Sequence, residues 1–262
     1  MRTPLLLLQR GLVALALGGA SLASHASCDT GLAERMHAKL HPDRELDRER
    51  AGCKAWPGFL GRYIVVLPLP RGAVSDAGTE FDLDVMVVQQ ADNGNTDRAR
   101  IASRVFEKRA LVEDAVRISD ILIDTARYTL APDTRAFGLR VKHSGSSRAN
   151  PYANEELRLY VPQGEHLHKV LDGLETTRER GEWDTACAGK FEQVRTSVAV
   201  SRTSSNKGYA DLLLSQTRIE SHATPSVDGE CVEREQPARF KTLTLQYDGT
   251  RYPIPPGLRL DQ

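Results

Sequence analysis

From Arg62 onward, apolar and polar positions alternate with a period of two. In EFDLDVMVV (80–88), Phe81, Leu83, Val85 and Val87 alternate with Asp82, Asp84 and Met86. That period predicts a half-buried strand, with the two aspartates facing solvent. AFGLRVKH (136–143) repeats the pattern through Phe137, Leu139 and Val141, and ELRLYV (156–161) through Leu157, Leu159 and Val161. RYIVVLPLP (62–70), RTSVAVS (195–201), GYADLLLSQTRIES (208–221) and RFKTLTLQY (239–247) also read as strands, and VRISDILIDTARYTL (116–130) as two. Asp248-Gly249 after the last of them predicts a hairpin turn.

After residue 57 helix signals are few and short; helical spacing is concentrated before it. There Leu32, Met36 and Leu40 recur every four residues on one face, and Pro42 interrupts the run. Many short strands with turn chemistry between them predict an all-β, antiparallel architecture, either a small β-propeller-like fold or a β-sandwich. FDLDVMVV and GYADLLLS resemble two copies of one aromatic- and Asp-bearing element, which favours the propeller. The expected organisation is a leader over 1–26, a helical, disulfide-tethered segment over 27–57, and one β domain over 58–262.

The leader is read from its chemistry. Arg2 and Arg10 make a positive start, Gly11 to Ala20 is apolar, and Ser24-His25-Ala26 offers small residues to signal peptidase. The apolar run falls short of the ~20 residues needed to span a bilayer. Export through the Sec pathway to the periplasm follows, with no membrane span in the remaining chain. A lipid-bearing Cys28 is the alternative, since Ala26 and Ser27 precede it.

Export changes how the four cysteines read. An even count in an oxidising compartment predicts disulfides. Three pairings are possible; the local one, Cys28–Cys53 and Cys187–Cys231, closes moderate loops worth on the order of 3–4 kcal/mol each. In GEWDTACAGK (181–190), Cys187 is therefore a crosslink, Trp183 a packing residue and Asp184 a turn residue. Lys plus Arg equals Asp plus Glu at 35 each. No basic stripe points to nucleic acid, and no basic amphipathic helix to a membrane surface.

Several pairs carry chemistry in principle. His37 and His41, and His166 and His168, each share a face, but neither pair has a third metal ligand, so no metal site is expected. Asp172 is a poor substitute for the missing acid near His166. Asp92, Asn95 and Asp97 have oxygen ligands suited to calcium, although Asn93-Gly94 makes a turn the favoured reading. Asp82 and Asp84 would be the carboxylate pair of an envelope hydrolase. There is no GxSxG element and no glycine-rich phosphate loop.

The stretch VKHSGSSRANPYANEEL joins two strand patterns through about a dozen residues, against the usual two to five in a hairpin. Long connections of this kind often carry function. Ser144, Gly145, Ser146, Ser147, Arg148, Asn150 and Tyr152 combine small residues, which fit a narrow cleft, with donors suited to carboxylates.

Export, a β body and Ser144-Gly145-Ser146-Ser147 together resemble periplasmic lysozyme inhibitors and effector-immunity proteins of Gram-negative bacteria, some of which are propeller-like. Members of those families carry a Ser-Gly-x-x-Tyr-type loop that enters the lysozyme cleft. Here Arg148 stands at the Tyr position and the nearest Tyr is Tyr152. The resemblance implies a non-enzymatic protein whose partner is a peptidoglycan hydrolase, and no cofactor. The competing classes are a structural or glycan-binding envelope protein and the Asp82/Asp84 hydrolase.

Overall fold

The computed structural model describes residues 31–75, 78–90, 96–204 and 207–259. Among them are one α-helix, α1 (Leu32–Leu40), a short 3-10 turn at Thr96–Arg98, and twelve strands. These are β1 (Gly52–Ala55), β2 (Arg62–Ser75), β3 (Gly78–Gln89), β4 (Arg100–Glu113), β5 (Val116–Ala131), β6 (Thr134–Gly145) and β7 (Tyr152–Gln163). They continue as β8 (His166–Trp183), β9 (Gly189–Ser204), β10 (Ala210–Pro225), β11 (Cys231–Glu235) and β12 (Arg239–Leu245).

The all-β, antiparallel expectation is met. All twelve strands share one sheet, ordered β1-β2-β3-β4-β8-β7-β6-β5, and β9 to β12 extend it from β8. The β4–β8 join is a single parallel bridge, Arg104 to His166. At the far end β1 meets β5, where Lys54 Nζ donates to the Ile123 carbonyl at 2.9 Å. The sheet is therefore a nearly closed barrel, in place of propeller blades or two separate sandwich layers. Strands of 12 to 18 residues, such as β3 and β8, accumulate right-handed twist. Bulges in β5 at Ile118/Asp120 and Asp124/Tyr128 add local bend. Those bulges also explain why residues 116–130 form one strand where two were expected. The paired sequence elements fall in β3 and around the start of β10, in different parts of the sheet.

Three apolar clusters stabilise this arrangement. Trp56, Leu83, Phe137 and Tyr160 fill the barrel interior. Leu159, Leu171, Leu214 and Tyr252 pack the other face of β7 and β8 against β10 and the C-terminal stretch. Leu32, Met36, Leu67 and Met86 join α1 to the outside of β2 and β3. The expected helix face is thus the buried one. The consequence for β3 is a correction: it is buried on both faces, because the N-terminal segment covers the side expected to meet solvent. That segment also supplies β1, so the expected boundary at residue 57 cuts through the sheet.

Cys187 and Cys231 are disulfide-bonded, Cα atoms 5.5 Å apart, tying the β8–β9 turn to the start of β11. Asp184 is the expected turn residue, its Oδ1 accepting from the Ala186 and Cys187 amides at 2.9 and 2.7 Å. Cys53 is also disulfide-bonded, but Cys28, the expected partner, lies outside the described residues, as does the expected leader. Asp248 makes its turn by accepting from the Thr250 and Arg251 amides. No hairpin follows, because the chain crosses to β8, where the Tyr252 amide donates to the Val170 carbonyl at 2.7 Å. Among the described residues, no helix is long and apolar enough to cross a membrane.

Candidate functional site

The connection singled out from sequence is shorter than expected. Ser144 and Gly145 end β6 and Tyr152 opens β7, with Ser144 paired to Ala153. Only residues 146–151 connect the strands. Ser146, Ser147, Arg148, Ala149 and Asn150 are all exposed. The connection is nonetheless held at several points. The Trp183 amide donates to the Ala149 carbonyl at 2.7 Å, and the Gly181 amide to the Pro151 carbonyl at 2.9 Å. Ser147 Oγ accepts from the Asn150 amide at 3.0 Å. The end of β8 thus splints a projecting run of small and polar residues.

Asp82 and Asp84 are not the open carboxylate pair that a hydrolase needs. Both are buried, at 2% and 0% exposure, beneath the N-terminal segment. Arg44 Nη1 reaches Asp82 at 2.8 Å, Arg71 Nη1 at 3.0 Å, and the Arg109 amide at 2.8 Å. Arg109 has φ +52° at a β-bulge in β4, which turns its amide toward Asp82. Asp84 accepts from Arg104 Nη2 at 2.6 Å and lies 2.7 Å from His41 Nε2. His37 bonds the Arg44 carbonyl at 2.8 Å. The two histidines expected on a solvated face are therefore part of a clamp holding the N-terminal segment to the barrel.

The clamp predicts an acid response. Burial alone would raise the Asp82 pKa, but the Arg109 amide, Arg71 and Arg44 outweigh it and hold the carboxyl below its ordinary value of 3.8. A depressed folded pKa contributes stability that is present above 3.8 and lost as pH falls through the folded value. Protection of the α1 amides, measured as exchange relative to the intrinsic rate at each pH, will therefore fall below pH 3.8. Asp82→Asn will remove much of that pH dependence; an unchanged profile in the variant would show that the clamp does not titrate through Asp82.

A cleft of about 540 Å³ opens at the mouth of the barrel, between the β4–β5 turn and the inner face of β6, β7 and β8. Its wall carries His143 from β6, Asn154, Glu156 and Arg158 from β7, and Glu175 and Arg178 from β8. Register explains the grouping, since His143 pairs with Asn154, Asn154 with Arg178, and Glu156 with Glu175. Leu111 and Val116 supply the opposite, apolar wall. Arg158, 4% exposed, bonds Glu156 through Nε at 2.9 Å and Nη2 at 2.6 Å. Arg178 Nη1 meets Glu175 at 2.6 Å. Burial lowers the pKa of His143, opposed by Glu156 and Glu113 and reinforced by Arg158. Burial raises that of Glu175 against the pull of Arg178.

Tyr152 and Arg180 border both this cleft and a second groove of about 480 Å³, which adds Ser147, Phe191 and Glu233. The sequence-predicted rim and the cleft are thus neighbours. Of the cleft's β7 and β8 side chains, Tyr152 alone was singled out from sequence. The period-two signal was present, but nothing marked that polar face as the inside of a barrel.

The other expected ligand sets stay apart from this site. His166 and His168 share an exposed face at the start of β8, as their spacing predicts. Asp172 pairs with Lys169 at 2.9 Å. Of the calcium candidates, Asp92 and Asn95 lie outside the described residues, while Asp97 is ion-paired to Arg35 at 2.5 Å. Compared with protein-family models, curated proteins and solved structures, the chain matches none.

Proposed function

We propose that the chain is a periplasmic binding protein, an inhibitor or immunity protein that blocks a lysozyme-like peptidoglycan hydrolase with residues 146–151. The observation that carries this reading is the splinted rim: exposed Ser146, Ser147, Arg148 and Asn150, fixed by backbone bonds to the end of β8. A rigid projection loses little conformational freedom on binding, so more of its contact energy appears as affinity. Most glycoside hydrolases use two carboxyl groups flanking the scissile bond. Hydroxyls and a guanidinium fork suit both groups, and the fork does so through charge-assisted bonds. The burial and saturation of Asp82 and Asp84 argue against the hydrolase reading built on them.

Titrating the mature protein into lysozyme-like hydrolases, starting with any encoded beside its gene, tests the proposal. Saturable inhibition is expected, and Arg148→Ala should weaken it by roughly 10- to 100-fold through one lost charge-assisted bond. Absence of inhibition across the panel would refute the reading. Glycan binding remains a second reading because Tyr152 and Phe191 line the groove beside the rim; it predicts retention on purified peptidoglycan with no protein partner.

A further inference from the structure

We infer that the barrel-mouth cleft is a binding site for a small organic carboxylate, its acid group on the floor formed by His143, Asn154 and Arg158 and its apolar body against Leu111 and Val116. The inference is independent of the inhibitor reading, which concerns the rim.

The floor is the first reason. His143, Asn154 and Arg158 are 8%, 3% and 4% exposed. Among the described residues, His143 Nε2, the Asn154 amide atoms and Arg158 Nη1 have no hydrogen-bond partner. Arg158 Nη1 comes no nearer than 3.9 Å to Glu107, and the Asn154 amide only helps hold the Glu175 carboxyl charged. Buried polar atoms without partners are costly and uncommon, and three neighbouring side chains lining one cleft share that cost. Arg158 Nη1 and Asn154 Nδ2 are donors, and a neutral imidazole donates from Nε2 in one of its tautomers. Their natural complement is an acceptor.

Charge makes that acceptor an anion. Five arginines line the cleft: Arg109, Arg158, Arg178, Arg180 and Arg259. Three carboxylates oppose them, Asp114, Glu156 and Glu175. Glu156 and Glu175 are held by Arg158 and Arg178, and Arg109 and Arg180 lean on Glu80 at 3.2 Å and Glu192 at 2.9 Å beyond the lining, so the surface of the cleft itself is richer in guanidinium than in carboxylate. Leu111 and Val116 opposite the floor call for an apolar body, which separates an organic acid from an inorganic anion. The cleft volume lies within the roughly 300–1,000 Å³ typical of small-molecule sites.

Hexanoate, 1-hexanol and inorganic phosphate test these elements separately on the full mature chain, followed by NMR of the histidine ring resonances. The expected result is saturable binding of hexanoate that shifts the His143 ring signals. Hexanol and phosphate should each bind at least tenfold more weakly. His143→Phe should weaken hexanoate about tenfold, and Asn154→Leu, which preserves volume more closely, should do the same if the first variant fails to fold. No saturation by hexanoate, equal binding of hexanol or phosphate, or ring shifts confined to other histidines would overturn the inference.

Discussion

Arg158→Ala will lower the unfolding free energy by about 3–5 kcal/mol, the usual cost of stranding one partner of a buried ion pair. Arg158 is buried between β7 and β4, bonds Glu156 twice, and donates from Nη2 to the Ala110 carbonyl at 3.1 Å. Its removal leaves the Glu156 carboxylate at 1% exposure with its ion-pair partner gone. Glu107 is spared, because Lys169 Nζ holds it at 3.2 Å. Arg158→Lys will rescue only part of the loss, since an ammonium cannot reproduce the planar fork. Arg158→Met with Glu156→Gln will recover most of it, since no charge is then stranded. Urea unfolding of the four proteins measures these differences. A loss under about 1 kcal/mol in Arg158→Ala would mean that the pair is not a structural element.

Replacing both Cys187 and Cys231 with serine will cost about 4 kcal/mol in the chain-entropy model. The bridge spans a sequence separation of 44 residues, which includes all of β9 and β10. Its release also has a local effect. Among the described residues β11 pairs only with β10, and its residues are largely exposed, so packing contributes little to holding it. Hydrogen exchange should therefore rise first in β11, ahead of the barrel strands. Thermal unfolding with and without reductant gives the global figure. A loss below about 1 kcal/mol, with β11 still protected, would show that the strand is held by its pairing alone.

The strands were legible because period-two patterning is local. The long polar connection was misjudged because Ser144, Gly145 and Tyr152 lack strand-like patterning and join the ladder only through their partners in β6 and β7. Asp82 and Asp84 posed a harder problem. Alternation correctly put them opposite Phe81 and Leu83, yet the cover over that face comes from residues about 40 positions earlier. His41 and Arg44 look like ordinary solvated side chains until the segment docks. The cleft was hidden by closure itself. Asn154, Glu156 and Arg158 alternate with Leu157, Leu159 and Val161, so the polar set reads as the wet side of a strand. Curling the sheet puts that set inside the barrel, while the apolar set packs beneath β10. Sequence period identifies two faces; only topology says which of them turns inward.

Hydrogen exchange on the protein with and without its target hydrolase addresses the functional claim most directly. The account predicts new protection over residues 146–151 and the adjoining end of β8, with the β11–β12 edge unchanged. Protection centred on that edge, or none at saturating enzyme, would contradict it.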